Sequence, residues 1–322
     1  MKRELWIESR RNELLPTTYF HVVFTLPHAL NRLILGNRKR LFAMLFSSAS
    51  ETLLNYSKFD KFLGAQTGIT MILHSWGQDL SFHPHVHCIV SGGGYLGGKW
   101  IEAKRPSGNF IFPVAGLRQM YKAIFLKKLR SASDLNLEGI KLPEILTVIE
   151  KTAWNVYAKA PFGGPAQVVE YLGRYSQKIA ITHHRILEVS DQGVRFKYKD
   201  YADNSRTKEM TLSSEEFLRR FDQHILPKGL VKIRHYGYLQ NRNKYVRLNE
   251  IRASLSLEPV KAVVHTPVAI RMLIQYGQDI FKCPHCETGR LALVHTSYGQ
   301  RTPRLRNKAS PPESQAIEYP EA

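Results

Sequence analysis

Cysteine, acidic charge and long apolar runs are scarce in this chain of 322 residues. Its three cysteines, Cys88, Cys283 and Cys286, are too few for a disulfide framework, which predicts a reduced, cytoplasmic setting. No apolar run approaches the roughly 20 residues needed to span a bilayer. The opening Met1-Lys2-Arg3-Glu4-Leu5-Trp6 lacks the apolar stretch of a signal peptide, so no membrane partner is expected. Asp and Glu number 27 against 46 Lys and Arg, a formal net charge of +19. That imbalance favours a polyanionic partner, nucleic acid first. The hydrophobic share, 43%, is that of an ordinary globular core.

Periodicity predicts a mixed α+β chain. Residues 19–26 are aromatic and β-branched and read as a strand closed by Pro27. Leucines and a methionine at three- and four-residue steps across 29–56 predict one or two helices, with a break at Gly36. Residues 69–76 and 86–90 read as antiparallel neighbouring strands, the second followed by a turn at Gly92-Gly93-Gly94. Helices are expected over 113–132 and 144–159, and another from Pro165 to about Lys178. Val194, Phe196 and Tyr198 alternate with Arg195, Lys197 and Lys199, and Ala202-Asp203-Asn204-Ser205 supplies turn residues, so 194–201 and 206–212 read as a hairpin. A capping box at Ser213–Glu216 opens a short helix to about His224. From Pro303 the chain is rich in Pro, Ser and charge and is expected to be disordered.

The chemistry centres on His83-Pro84-His85-Val86-His87. In a strand, residues i and i+2 face the same side, so His85 and His87 leave one sheet face together and can share a divalent metal. Imidazole with amide, carboxylate or water ligands suits Mg²⁺, Mn²⁺ or Zn²⁺. For a third ligand, Gln78 at the end of the adjacent strand is placed first, His74 second and His83 third. Downstream, Tyr171 and Tyr175 stand four residues apart, on one face of a helix. Such spacing also suits core aromatics. A tyrosine oxygen can instead form a covalent ester with phosphate, with Arg174 or Lys178 stabilising the developing charge.

His85-Val86-His87 with Tyr171-x-x-x-Tyr175 resembles the two-tyrosine HUH rolling-circle transposases of bacterial insertion sequences, relatives of the Helitrons. So do Phe20–His28, Leu73–Gln78, His83–Gly94, Tyr171–Arg185 and Leu226–Arg242, which together span about residues 14–245. The resemblance implies an HUH nuclease domain with a largely antiparallel sheet flanked by helices. It implies Mg²⁺ or Mn²⁺ at His85 and His87, and Tyr171 and Tyr175 as nucleophiles that cleave and rejoin single-stranded DNA at element ends and target DNA. Members usually begin with a cysteine-rich zinc module, and no cysteine precedes Cys88 here, which suggests a truncated or decayed copy or a late start codon. A rolling-circle replication initiator or relaxase-like nickase would use the same residues. An inactive DNA-binding remnant would bind without nicking, and a hydrolase using water would need no tyrosine.

Lys228, Lys232, Arg234, Arg242 and Lys244 are interleaved with Tyr236 and Tyr238, a pattern of cations for phosphates and aromatic faces for bases. With Arg174 and Lys178 they are the expected DNA contacts. Cys283-Pro284-His285-Cys286 is half of a zinc knuckle, and a full site needs four ligands, for which His285 and His295 are available. The expected organisation is an amino-terminal remnant (1–18), the nuclease domain with its tyrosine helix (19–185), a basic hairpin and helix region contacting DNA (186–260), a carboxy-terminal segment with the Cys-x-x-Cys (261–302) and the tail (303–322). The oligomeric state is not legible in the sequence.

Overall fold

Alternating β-branched and aromatic residues build the strands Tyr19–Thr25 (β1), Gln66–Trp76 (β2) and Phe82–Leu96 (β3). A computed structural model of the chain describes residues 2–104, 110–159, 163–164, 167–168, 170–171, 173, 180–201, 203–260, 267–286 and 288–292. The chain separates into two units, Met1–Val264 and His265–Ala322.

In the first unit β3 is the central strand, paired antiparallel to β1 on one side and to β2 on the other. With Lys99–Glu102 (β4), Val156–Lys159 (β5) and Ile233–Gly237 (β9), the described residues form a six-stranded sheet ordered β5-β1-β3-β2-β9, with β4 on the far end of β3. Every pairing is antiparallel.

The two faces of this sheet differ chemically because each strand alternates. Phe20, Val22 and Phe24 of β1, Met71 and Leu73 of β2, and Val86, Cys88 and Val90 of β3 are buried in one core. Helices Asn31–Gly36, Arg38–Ser57 and Val114–Arg130 cover that face through Leu33, Leu41, Leu45, Phe46, Tyr121 and Phe125. The opposite face carries His21, His74, His85 and His87, placed there by the register in which His74 opposes His85 and Val23 opposes His87. The helix break falls at Gly36, as the spacing predicts.

Two local expectations are overturned. The helix expected over 144–159 is Leu142–Lys151, after which Val156–Lys159 pairs with β1 as an edge strand. Trp154 ends the helix: its indole N–H donates to Ile149 O (2.9 Å), and its ring is buried against Tyr121 and Phe125. Gly92-Gly93-Gly94 is not a turn. β3 runs through it to Leu96, and the chain reverses at Gly97-Gly98, both at positive φ. Gly93 is a close approach, since a Cβ there would lie 2.4 Å from the Trp100 ring on β4.

Ile186–Ser190 (β6), Gly193–Asp200 (β7) and Arg206–Leu212 (β8) form a separate antiparallel sheet. Phe196 and Val194 are buried while Arg195, Lys197 and Lys199 are exposed, the alternation read from the sequence. Ser213 caps the helix Ser214–Asp222 by accepting from the Glu216 amide (3.2 Å). Glu216 does not complete the capping box; its carboxylate pairs with Arg219 and Arg220. Phe196 packs with Leu80, Trp76 and Phe217, which seats this small sheet beside the β2–β3 connection.

In the second unit the helix Val268–Tyr276 stops at Gly277, whose left-handed conformation lets its N–H donate to Leu273 O at 2.9 Å. The tail from Pro303 lies outside the described residues. Among the described residues no helix is long and apolar enough to cross a membrane.

Candidate metal centre and tyrosine site

β3 delivers His85 and His87 to one face, and β2 delivers His74 to the same face directly opposite His85. One ring nitrogen from each of the three lies within 4.8 Å of the others. His85 Nε2 and His87 Nε2 are 3.1 Å apart. Two imidazoles bound to one ion at about 2.1 Å hold their nitrogens roughly 3.0–3.4 Å apart, so the pair already has ligand spacing. His85 Nδ1–H donates to the His83 carbonyl (2.6 Å), which leaves the Nε2 lone pair facing His87. Burial lowers the His85 pKa to about 4, and burial with the neighbouring His85 and Lys232 charges holds His74 well below the ordinary histidine value. Both rings are therefore neutral, the protonation state that binds metal. The donor set fits a divalent cation.

Tyr171 approaches the same face from a helical segment in which Gln167, Val168, Glu170, Tyr171 and Gly173 are described. Val168 is buried with Tyr19, Ile72 and Ile89, and Tyr171 packs against that cluster, so the helix is held on the histidine face of the sheet. The Tyr171 hydroxyl lies 3.1 Å from His87 Nδ1 and 3.3 Å from His21 Nε2. His21 Nε2 is in turn 2.8 Å from His87 Nδ1. His21 was not singled out in the sequence. Its signal is the β1–β3 register, which sets His21 one alternation from His87 on the same face and is invisible until the strands are paired.

A cleft of about 850 Å³ opens over these residues. Its walls include His21, His74, His85, His87, Tyr171, Tyr198 and Tyr201. Gln78 and His83 border the same cleft. The Gln78 carbonyl accepts from the Arg185 guanidinium. Trp76 stacks on His74 with ring centroids 4.7 Å apart, and the Lys232 ammonium lies 5.1 Å from the Trp76 ring centre. Burial lowers the Lys232 pKa to about 8. Tyr175, Arg174 and Lys178 lie outside the described residues.

The expected DNA contacts separate. Lys228 and Arg242 are exposed. Arg234 and Tyr236 alternate away from the histidine face, Arg234 lying over the Phe46 ring at 4.4 Å. Two expectations are corrected. Tyr238 is 1% exposed, its ring filling the space over Gly68, where a Cβ would come within 2.4 Å of it. Lys244 is 6% exposed and donates to the Glu13 carboxylate at 2.5 Å. Neither side chain is on a surface that DNA reaches.

In the second unit, Cys283 N–H donates to Gly289 O (2.9 Å) and the His285 amide donates to Cys283 Sγ (3.4 Å). Backbone donation from His285 and Cys286 pushes the Cys283 thiol below its ordinary pKa. His295 lies outside the described residues.

Residues 68–245 match a family model described as "Putative transposase". The chain is 38% identical over 319 residues to "Putative transposase y4qJ" of Sinorhizobium fredii, an alignment covering 94% of this chain and 79% of that protein. It is 28% identical over 298 residues to the "Transposase for insertion sequence element IS801" of Pseudomonas savastanoi pv. phaseolicola, covering 87% of this chain and 68% of that one. No solved structure matches the chain.

Proposed function

This chain belongs to that transposase family, and we propose that it cleaves and rejoins single-stranded DNA at the ends of an insertion sequence through phosphotyrosine esters. The observation that carries this reading is the Tyr171 hydroxyl 3.1 Å from a histidine of a three-histidine cluster, at the edge of an open cleft. His74, His85 and His87 would hold Mg²⁺ or Mn²⁺, with Gln78 bordering the site as an alternative third ligand. When bound, the ion supplies Lewis-acid polarisation of a phosphate.

The protein residues do the rest. The Tyr171 oxygen forms the new bond to phosphorus, the bond from phosphorus to the 3′-oxygen breaks, and that oxygen takes a proton from solvent and leaves as a free hydroxyl. The phenolic proton passes to His21 Nε2, which lies 3.3 Å away and is not among the three ligands. Tyr175 would make the second ester, and Arg174 and Lys178 would steady the phosphate. Lys228 and Arg242 are the exposed cations suited to the backbone of the strand. In the second unit Cys283 and Cys286 offer two thiolates to Zn²⁺.

The test is incubation of the protein with labelled single strands carrying the element ends and Mn²⁺, read as a denaturation-resistant protein–DNA adduct. Adduct formed by the natural protein and lost in the Tyr171→Phe/Tyr175→Phe double variant supports tyrosine transfer. Nicking that persists in the double variant makes water the nucleophile and overturns the assignment.

A further inference from the structure

The cleft over the histidines has a second wall that the cutting chemistry does not use. Tyr198, Lys199 and Asp200 at the end of β7, Tyr201 just after it and Met210 of β8 line the same cleft of about 850 Å³ as the histidines. Tyr201 is 69% exposed, so most of its ring has no protein packed on it. Tyr198 follows Phe196 on the inner face of the small sheet and extends that apolar surface into the cleft.

Charge decides what this wall suits. Lys199 is the one ammonium among the described lining residues; the lining also holds the carboxylates Asp79 and Asp200, the latter paired with Lys208 at 2.9 Å. One Asp79 carboxylate oxygen accepts from the Ser81 hydroxyl (2.6 Å) and the Ser81 amide (3.1 Å). A track for consecutive phosphates carries cations without carboxylates beside them. Aromatic faces rimmed by acceptors suit a nucleobase, whose ring stacks and whose amino groups donate.

We propose that Tyr198 and Tyr201 form the stacking wall of a nucleobase pocket that opens onto the histidine cluster and holds a base flanking the phosphate that is cut. The inference rests on the single-strand transfer reading above for the identity of the ligand. It goes beyond that reading in assigning a base-holding role to the hairpin sheet.

The experiment is fluorescence anisotropy of labelled element-end strands, and of a labelled oligo-dT strand, with the full chain in chelator, so that no cutting is needed. Stacking on one aromatic is worth about a tenfold change in affinity. Tyr201→Ala is expected to weaken the element-end strand by about that factor, and Tyr201→Phe, which keeps the ring, to bind within about twofold of the natural protein. One abasic position near the cut site is expected to cost the natural protein the same factor and Tyr201→Ala nothing more. Losses that add, an unchanged Tyr201→Ala, or no binding of either strand by the natural protein would each overturn the pocket. Failure of the adduct assay with this non-additivity intact would reject tyrosine transfer and leave the pocket standing.

Discussion

Tyr171 Oη and His85 Nε2 meet opposite nitrogens of one ring, that of His87: the first lies 3.1 Å from Nδ1 and the second 3.1 Å from Nε2. One imidazole therefore ties the tyrosine-bearing helix to the histidine cluster. Changing the electron demand on one nitrogen alters the hydrogen bond at the other, as for metal-bound histidines and their outer partners. The hydroxyl's position is thereby set by strand geometry, which is more rigid than a loop.

Ligand substitution should sort the third donor. His85→Ala and His87→Ala are each expected to abolish measurable Mn²⁺ binding by calorimetry. His74→Ala should weaken it by at least tenfold, because the ring nitrogen lies with the other two within 4.8 Å. Gln78→Ala should leave the affinity within about threefold. A Gln78→Ala loss as large as that of His74→Ala would return the third position to the amide.

Acid sensitivity should trace in part to His235, away from the cleft. Its Nε2 accepts from Arg10 (3.0 Å), its Nδ1–H donates to Thr70 (3.0 Å), and burial, with the Arg10 and Lys244 charges, lowers its pKa to about 3. In the unfolded chain it titrates near 6.5. The unfolded state therefore takes up a proton that the folded state refuses, and the stability present above pH 6.5 is lost as pH falls toward 3. At pH 4.5 the loss is about 2–3 kcal/mol from this one ring. Urea unfolding at several pH values should show His235→Gln with a shallower acid limb by that amount. An identical limb would mean that the ring is protonated in the folded protein.

What was legible in the sequence is what local pattern specifies. Alternation in 194–200 gave the hairpin sheet, the His-x-His spacing set two rings on one face, and Gly36 marked the helix break. What was not legible depends on partners far along the chain. Val156–Lys159 is too short to show strand periodicity and becomes a strand because β1 offers it an edge. The three glycines at 92–94 read as a turn because their reason, the closeness of Trp100 and of other strands, is tertiary. That His74 opposes His85 follows from the β2–β3 register, which local spacing does not show. Tyr238 and Lys244 had the composition of a nucleic-acid surface, and burial overrode it.

The buried carboxylate of Glu13 separates structural cations from DNA-binding ones. It accepts from Arg10 and Lys244, both at 2.5 Å, and from the Tyr245 hydroxyl at 3.3 Å. Lys244 and Glu13 are almost fully buried; removing Glu13 leaves the Lys244 ammonium without its carboxylate away from water, which costs about 3–5 kcal/mol, whereas removing Lys244 leaves Glu13 still paired with Arg10. Glu13→Ala is therefore expected to lower the urea midpoint sharply and Lys244→Ala to lower it less, the latter leaving the dependence of single-strand affinity on salt unchanged. Lys228→Ala and Arg242→Ala, at exposed positions, should do the opposite. Each should leave the unfolding midpoint in place, weaken binding, and reduce the slope of log affinity against log salt by about 0.7, the counterion released per phosphate on a single strand. A salt slope that falls in Lys244→Ala measured where it is fully folded would return that lysine to the DNA surface. An unchanged slope in both exposed variants would move the strand's path to another face of the sheet.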